Sequence, residues 1–365
     1  MKKLKVALVH EFLNQFGGAE RVLEAFVELF PEAEIYTLLY DPAKMHGKFE
    51  KVKINTSFLQ KFAGLHKYLL PLMPKAIESI KIPTDIDLVL SDASAFAKGV
   101  KVPQGIPHLC YLHTPTRYLW IVRDEYINSA LPNFLRPFKF VVDRIVDRQR
   151  VWDYLAAQKP DLYIANSKNI SQKLSNIYDR DSDSVVFPFV DLDQFYLSQP
   201  DDYVLALGRM EPYKKFDLAI EAATKVDQVI KVVGTGTRFN ELVSKYKNNS
   251  KVEFLGRVED KDLKDLYAKA KVYIFPQEED AGITPLEAMA SGCPVLAYGK
   301  GGALESVQEG VSGHFFEEQT VDSIADKLVE CNWNAFDRAR VRESVRKFDI
   351  QSFKEKILTE VEKLI

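Results

Sequence analysis

Short apolar runs alternate along this chain with stretches whose apolar positions recur at helical spacing. Residues 5–10 (KVALVH) read as a buried strand, and residues 19–30 as a helix after a loop holding Gly17 and Gly18. Further strands are expected at 33–40, 88–90, 108–112 and 162–165. A Pro-punctuated extended stretch at 186–199 interrupts the series. Fresh strands then follow at 203–207, 230–233, 252–255, 272–275 and 295–298. Strands separated by helices predict doubly wound parallel sheets, and the interruption predicts two of them. The tail, 341–365, is helical, with a break near Phe348 and Asp349 that would let the last helix return to the first domain.

The best-punctuated unit is FPQEEDAGITPLEAMASGCPVLAY, residues 275–298. Its residue types place Thr284 as N-cap, Pro285 as the first helical residue and Glu287 three after the cap. Gly292 and Pro294 are placed to end the helix. Such a unit aims its helix N-terminus, here Gly282, Ile283 and Thr284, at the carboxyl edge of a parallel sheet, where ligands bind. Bare amides there favour an anion. Glu279 and Glu287 flank it with seven residues between them. A carboxylate repels phosphate but accepts two hydrogen bonds from a vicinal diol. An anion seat between two diol acceptors suits a sugar nucleotide, ribose at one end and hexose at the other. Read singly, Glu287 equally fits a capping box with Thr284, and Glu279 a solvated loop acid.

Other strand ends add to this. Arg209 leaves the strand at 203–207 and Lys214 follows across a loop, so both cations can reach a diphosphate. His113 closes the strand at 108–112, a ligand-facing position in such a sheet. Gly17-Gly18 is not a GxGxxG fingerprint; it is either a tight turn or a phosphate- or substrate-facing corner. The glycines at 299–302 read as a further anion-facing corner. Residues 58–83 interleave Phe58, Leu59, Phe62 and Leu69 with Lys61, Lys75 and Lys81. That pattern fits either a helix at an anionic membrane surface or an ordinary helix covering the sheet. Residues 118–154, aromatic and arginine-rich, read as a long helical excursion.

At 365 residues and 46% hydrophobic content the chain supports two cores. A net charge of −3 argues against nucleic acid as partner, but residues 51–150 are +7 while the remainder is −10. The basic segment points to an anionic surface or an acidic substrate. Three widely spaced cysteines form no metal motif or disulfide framework. With no signal-type leader and no long apolar run, a cytoplasmic protein is expected, peripheral on the inner face of the membrane if the basic segment binds it.

Together, Gly17-Gly18, His113, Arg209 with Lys214, and Glu279 with Glu287 resemble family 4 retaining glycosyltransferases of the GT-B fold. The strings EEDAGITPLEAMASGCPV and AYGKGGALESV are especially similar to its bacterial mannosyltransferase branch, which works in polysaccharide and O-antigen assembly. The resemblance implies two Rossmann-like domains facing across a cleft, an acceptor-binding one at 1–198 joined by the helix at 350–365, and a nucleotide-sugar-binding one at 199–349. It implies transfer of mannose from GDP-mannose, with retention, to a glycan or lipid-linked glycan acceptor. Glu279 would then contact sugar hydroxyls and Glu287 the ribose, while Arg209 and Lys214 hold the diphosphate with the amides near Ile283 and Thr284. Gly17 and Gly18 would line the acceptor or phosphate side, with His113 beside the reacting sugar.

Two residues depart from the pattern: Ala281 stands where an aromatic is common, and Lys215 where glycine is frequent. The pairs Asp85/Asp87 and Asp191/Asp193 precede a strand and lie in the linker, so no cofactor and no metal is expected. A non-catalytic sugar-nucleotide binder, an epimerase and a phosphorylase remain open on the same fold.

Overall fold

The computed structural model describes residues 4–121, 123 and 139–365, which form two compact units. Met1–Phe187 with Lys354–Ile365 make the first, and Pro188–Phe353 the second. The first holds strands β1 (Val6–Leu13), β2 (Glu34–Tyr40), β3 (Ile54–Thr56), β4 (Leu88–Ala93), β5 (His108–Leu112), β6 (Leu162–Ala165) and β7 (Ser184–Val185). They form one parallel sheet in the order β3-β2-β1-β4-β5-β6-β7. The second holds β8 (Tyr203–Leu207), β9 (Val229–Val233), β10 (Val252–Gly256), β11 (Val272–Phe275), β12 (Val295–Tyr298) and β13 (Gly313–Phe316). These are also parallel, in the order β10-β9-β8-β11-β12-β13. Helices cover parallel strands on both faces, which is why the central strands read as continuous apolar runs.

Strand order creates one crevice per sheet. In the first the chain switches direction between β1 and β4, and in the second between β8 and β11. Ligands of doubly wound sheets bind outside the carboxyl ends of strands at such switch points. Packing around each sheet is dense. Val9, Leu38, Met73, Ile77, Val89 and Tyr163 are buried in the first core. Phe216, Ile220, Val232, Ile274, Leu296 and Trp333 are buried in the second.

Several expectations change. The unit boundary falls at 187/188 rather than 198/199. The intervening segment is tied to the second unit by Arg342, whose guanidinium donates to the carbonyls of Leu192, Phe195 and Ala290 at 2.6–2.8 Å. Residues 58–83 are no continuous helix. They form 3-10 segments at Phe58–Tyr68, kinked at Phe62, and Leu70–Leu72, then a short helix at Met73–Glu78. The single helix expected there is replaced by these short segments, from which Leu59, Met73, Ala76 and Ile77 pack into the core. The aromatic, arginine-rich stretch forms helices at Arg117–Trp120 and Lys139–Ala156. Residues 122 and 124–138 of it lie outside the described residues. Among the described residues the cysteines are free, and no helix is long and apolar enough to cross a membrane.

Candidate functional site

In the second unit the predicted residues gather where strand order reverses. β8 ends at Leu207 and turns through Gly208 to Arg209, which is exposed. That turn is braced by the loop after β9: a Cβ on Gly234 would stand 2.0 Å from the Gly208 carbonyl oxygen, so only glycine fits. Lys214 follows in the 3-10 turn Pro212–Lys214. The neighbouring β11 ends at Phe275 and runs through Glu279 into the helix Ile283–Ala290. Lys214 Nζ and Glu279 Oε1 form an ion pair, with side chains 16% and 17% exposed. A cation and a carboxylate thus meet at the switch point, beside a helix N-terminus whose first amides lack intrahelical acceptors.

The helix begins two residues earlier than Thr284 and Pro285 suggested. Its cap is Gly282, with φ 84° and ψ 94°. Glycine reaches that conformation without strain, and proline is tolerated within the first turn, where its missing N–H has no partner to lose. Thr284 therefore caps nothing; its Oγ1 lies 2.9 Å from the Tyr273 hydroxyl. Glu287 is not a capping-box partner either. It is buried at 4% exposure and accepts from the Tyr267 hydroxyl at 3.0 Å. Gly292, at φ 72°, does follow the end of the helix.

The glycines after β12 pack closely against the loop that carries Glu279. A Cβ on Gly302 would stand 2.4 Å from the Ala281 carbonyl oxygen, and the Gly302 amide donates to the Glu279 carbonyl at 2.9 Å. The small, buried Ala281 belongs to this close contact. Lys215, where glycine is frequent in the resembling family, adopts φ 53° and ψ 35°. That left-handed conformation disfavours a residue with a Cβ by roughly 1–2 kcal/mol. Lys215→Gly is expected to leave unfolding free energy unchanged or raise it by about 1 kcal/mol, after the greater freedom of glycine in the unfolded chain is set against the relief. Chemical denaturation measures this, and a loss above about 1 kcal/mol contradicts it.

In the first unit the pattern understated β1, which runs three residues past the expected end and buries His10 and Glu11 inside it. Register then does the rest. His10 pairs laterally with Asp92 of β4, and Asp92 with Tyr111 of β5. His113, two residues beyond Tyr111, is on the same face. Asp92 Oδ2 lies 2.8 Å from His10 Nδ1, and its Oδ1 lies 2.5 Å from His113 Nε2. His10 Nε2 in turn lies 3.7 Å from Glu20 Oε1. Burial works against charge at Asp92, yet the two imidazoles hold its carboxyl below the ordinary range. Gly17 is the N-cap of the helix Gly18–Leu29, and its amide donates to Glu20 Oε2 at 2.8 Å. A carboxylate of this chain therefore already occupies the Gly17 amide.

Asp92, His10, Glu20, Tyr267 and Tyr273 were not singled out from the sequence. The signal for His10 and Asp92 was a polar residue inside an otherwise apolar strand, which a buried site has to satisfy. Among the described residues no group of three or more His, Cys, Asp or Glu is arranged to hold a metal ion.

Residues 192–348 match the family described as glycosyl transferases group 1. That stretch belongs to the group 1 glycosyl transferases. The chain is a glycosyltransferase with two parallel α/β units of the GT-B fold. An uncharacterized glycosyltransferase of Methanocaldococcus jannaschii is 26% identical over 99% of this chain and 97% of its own length. D-inositol 3-phosphate glycosyltransferase of Mycobacterium avium is 31% identical over 51% of this chain and 48% of its own. Human alpha-1,3/1,6-mannosyltransferase ALG2 is 30% identical over 44% and 45%. This glycosyltransferase spans about half the length of the latter two. Among solved structures, Anabaena HepE in complex with UDP and glucose superposes with a TM-score of 0.70 at 18% identity, covering 99% of this chain and 100% of that one.

Proposed function

We propose that this glycosyltransferase moves a hexose from a nucleoside diphosphate sugar to a glycan or lipid-linked glycan acceptor, with mannose from GDP-mannose as the preferred donor. The observation that carries this reading is the meeting of Lys214 and Glu279 beside the N-terminus of Ile283–Ala290. Cleaving the bond between the anomeric carbon and the phosphate oxygen leaves its electron pair, and so negative charge, on the departing diphosphate. Arg209, Lys214 and the amides near Ile283 and Thr284 are the groups suited to receive that charge. Glu279 accepts from sugar hydroxyls and Glu287, oriented by Tyr267, from the ribose. The family resemblance further assigns His113 to the reacting sugar, and Gly17 and Gly18 to the acceptor or phosphate. Cationic side chains and amides supply the stabilisation that a metal provides elsewhere, so no metal is required. Retention and a role in polysaccharide or O-antigen assembly follow from the family resemblance, while peripheral contact with an anionic membrane rests on the +7 charge of residues 51–150.

A second reading, a UDP-hexose donor, is favoured by the UDP and glucose of the Anabaena protein. Thermal-shift titration against GDP-mannose, UDP-glucose and other nucleotide sugars separates the two, because the true donor stabilises the fold in proportion to its affinity. Transfer assayed with the best donor in excess EDTA then tests the metal. GDP-mannose is expected to give the largest shift, with transfer undiminished by EDTA. Stabilisation by no nucleotide sugar would remove the proposal, and EDTA inhibition reversed by manganese its metal-free part.

A further inference from the structure

Lys214 and Glu279 face each other within the second unit, and the backbone of each is held from behind. The Glu279 carbonyl accepts from the Gly302 amide at 2.9 Å, and a Cβ on Gly301 would stand 2.4 Å from that same oxygen. Lys214 closes a 3-10 turn in which its amide donates to the Glu211 carbonyl at 2.9 Å. With side chains 16% and 17% exposed, the pair is largely shielded from water. Its backbone being fixed, the Glu279 carboxylate remains within reach of the ammonium group. Neighbouring acids leave this balance unchanged. Glu278 is drawn to Lys300, Glu287 holds the Tyr267 hydroxyl and Glu211 the Thr237 hydroxyl. Asp280, next along the loop, carries the same sign as Glu279 and does not offset it.

We propose that Glu279 makes this site discriminate between a nucleoside diphosphate sugar and the bare nucleoside diphosphate, and so promotes release of the spent nucleotide after transfer. The inference rests on the reading above, in which Lys214 holds the diphosphate. An incoming diphosphate competes with Glu279 for Lys214, and it brings negative charge towards a carboxylate that is losing its cation. In a nucleotide sugar the hexose hydroxyls donate to that carboxylate and replace the lysine as its partner. Bare nucleotide lacks those hydroxyls, and its terminal phosphate carries more negative charge. It meets the repulsion without the compensation. Once the hexose has passed to the acceptor, Glu279 loses its hydrogen bonds, returns to Lys214 and lowers the affinity for the product. One carboxylate thus grips the substrate and helps to expel the product, because its partner changes while its position does not.

Loss of the carboxylate should therefore act differently on the two ligands. Glu279→Gln is expected to bind bare GDP about 3- to 10-fold more tightly than the wild type, as removal of one like charge and one partly shielded ion pair implies. GDP-mannose should bind no more tightly, so its preference over GDP falls by at least that factor. Isothermal titration calorimetry of the full chain reads both, with UDP and UDP-glucose measured as a parallel pair. Glu279→Ala also lacks the charge; it should tighten GDP in the same way and serves if Glu279→Gln does not fold. In a Lys214→Ala background the gain should shrink, because no ion pair remains to be broken. Nucleoside diphosphate affinity unchanged or weakened by loss of the carboxylate overturns the proposal. An equal gain for nucleotide and nucleotide sugar does so too, since it would reflect charge removal alone. Undiminished affinity for both ligands in Lys214→Ala instead removes the underlying diphosphate seat. Weakened binding in Lys214→Ala with no gain in Glu279→Gln leaves that seat standing and sinks only this inference.

Discussion

Lys214→Ala is expected to lower kcat for donor cleavage about 10²- to 10³-fold while leaving the fold intact. The activity term is large because a preorganised cation acts where negative charge develops, in surroundings that screen it less than water does. The stability term is small, because the ion pair with Glu279 is partly open to solvent and such pairs contribute about 0–1 kcal/mol. Without ligand, Lys214 is neutralised by Glu279. Under the proposed function, a bound diphosphate takes over that role and frees the carboxylate for sugar hydroxyls. Lys214→Arg is expected to recover part of the loss, since the charge returns with a different donor geometry. Single-turnover kinetics with the best donor, alongside thermal unfolding, separates chemistry from folding. Undiminished turnover in Lys214→Ala would exclude Lys214 from diphosphate binding.

Lys98→Met is expected to destabilise the first unit by about 3–5 kcal/mol. Lys98 is fully buried and ion-paired at 2.6 Å with Asp153, itself buried. It also donates to the Ala95 carbonyl and lies near Thr116 Oγ1. Asp153 further accepts from Thr116 Oγ1, Trp120 Nε1 and the Tyr178 hydroxyl at 2.6–2.8 Å. One carboxylate thus joins the turn after β4, the segment after His113 and two helices. Removing the lysine leaves a buried negative charge without its cation, which is the expensive way to break such a pair. Lys98 is held above its ordinary value of 10.5: burial opposes the charge, and Asp153 more than compensates. A raised pKa means the contribution is complete below about 10.5 and fades only as pH climbs through the folded value. Denaturant unfolding near neutral pH should show the full loss in Lys98→Met. A change below about 1 kcal/mol would mean the pair is replaceable there.

Much was legible in the sequence because it is written locally. Apolar runs bounded by glycine, proline and polar residues gave the alternating strands and helices. Residues at strand ends, Arg209, Lys214, Glu279 and His113, were visible because the carboxyl ends of parallel strands are where chemistry concentrates. Local signals also misled. Thr284-Pro285 resembled a helix start, but the left-handed turn available to Gly282 moved the start forward. Residues 58–83 had helical spacing, yet broke into 3-10 segments and one short helix.

What the amino-acid order by itself determined was most of the strands, the two-sheet architecture and the kinds of charge available at each strand end. Only the tertiary structure decided which strands are neighbours, and so which charges meet. Lys214 reaches Glu279 because β8 lies beside β11, and His10 reaches His113 through Asp92 because β4 lies between β1 and β5. Lateral register between parallel strands arises from contacts distant in sequence, and local residue patterns do not encode it.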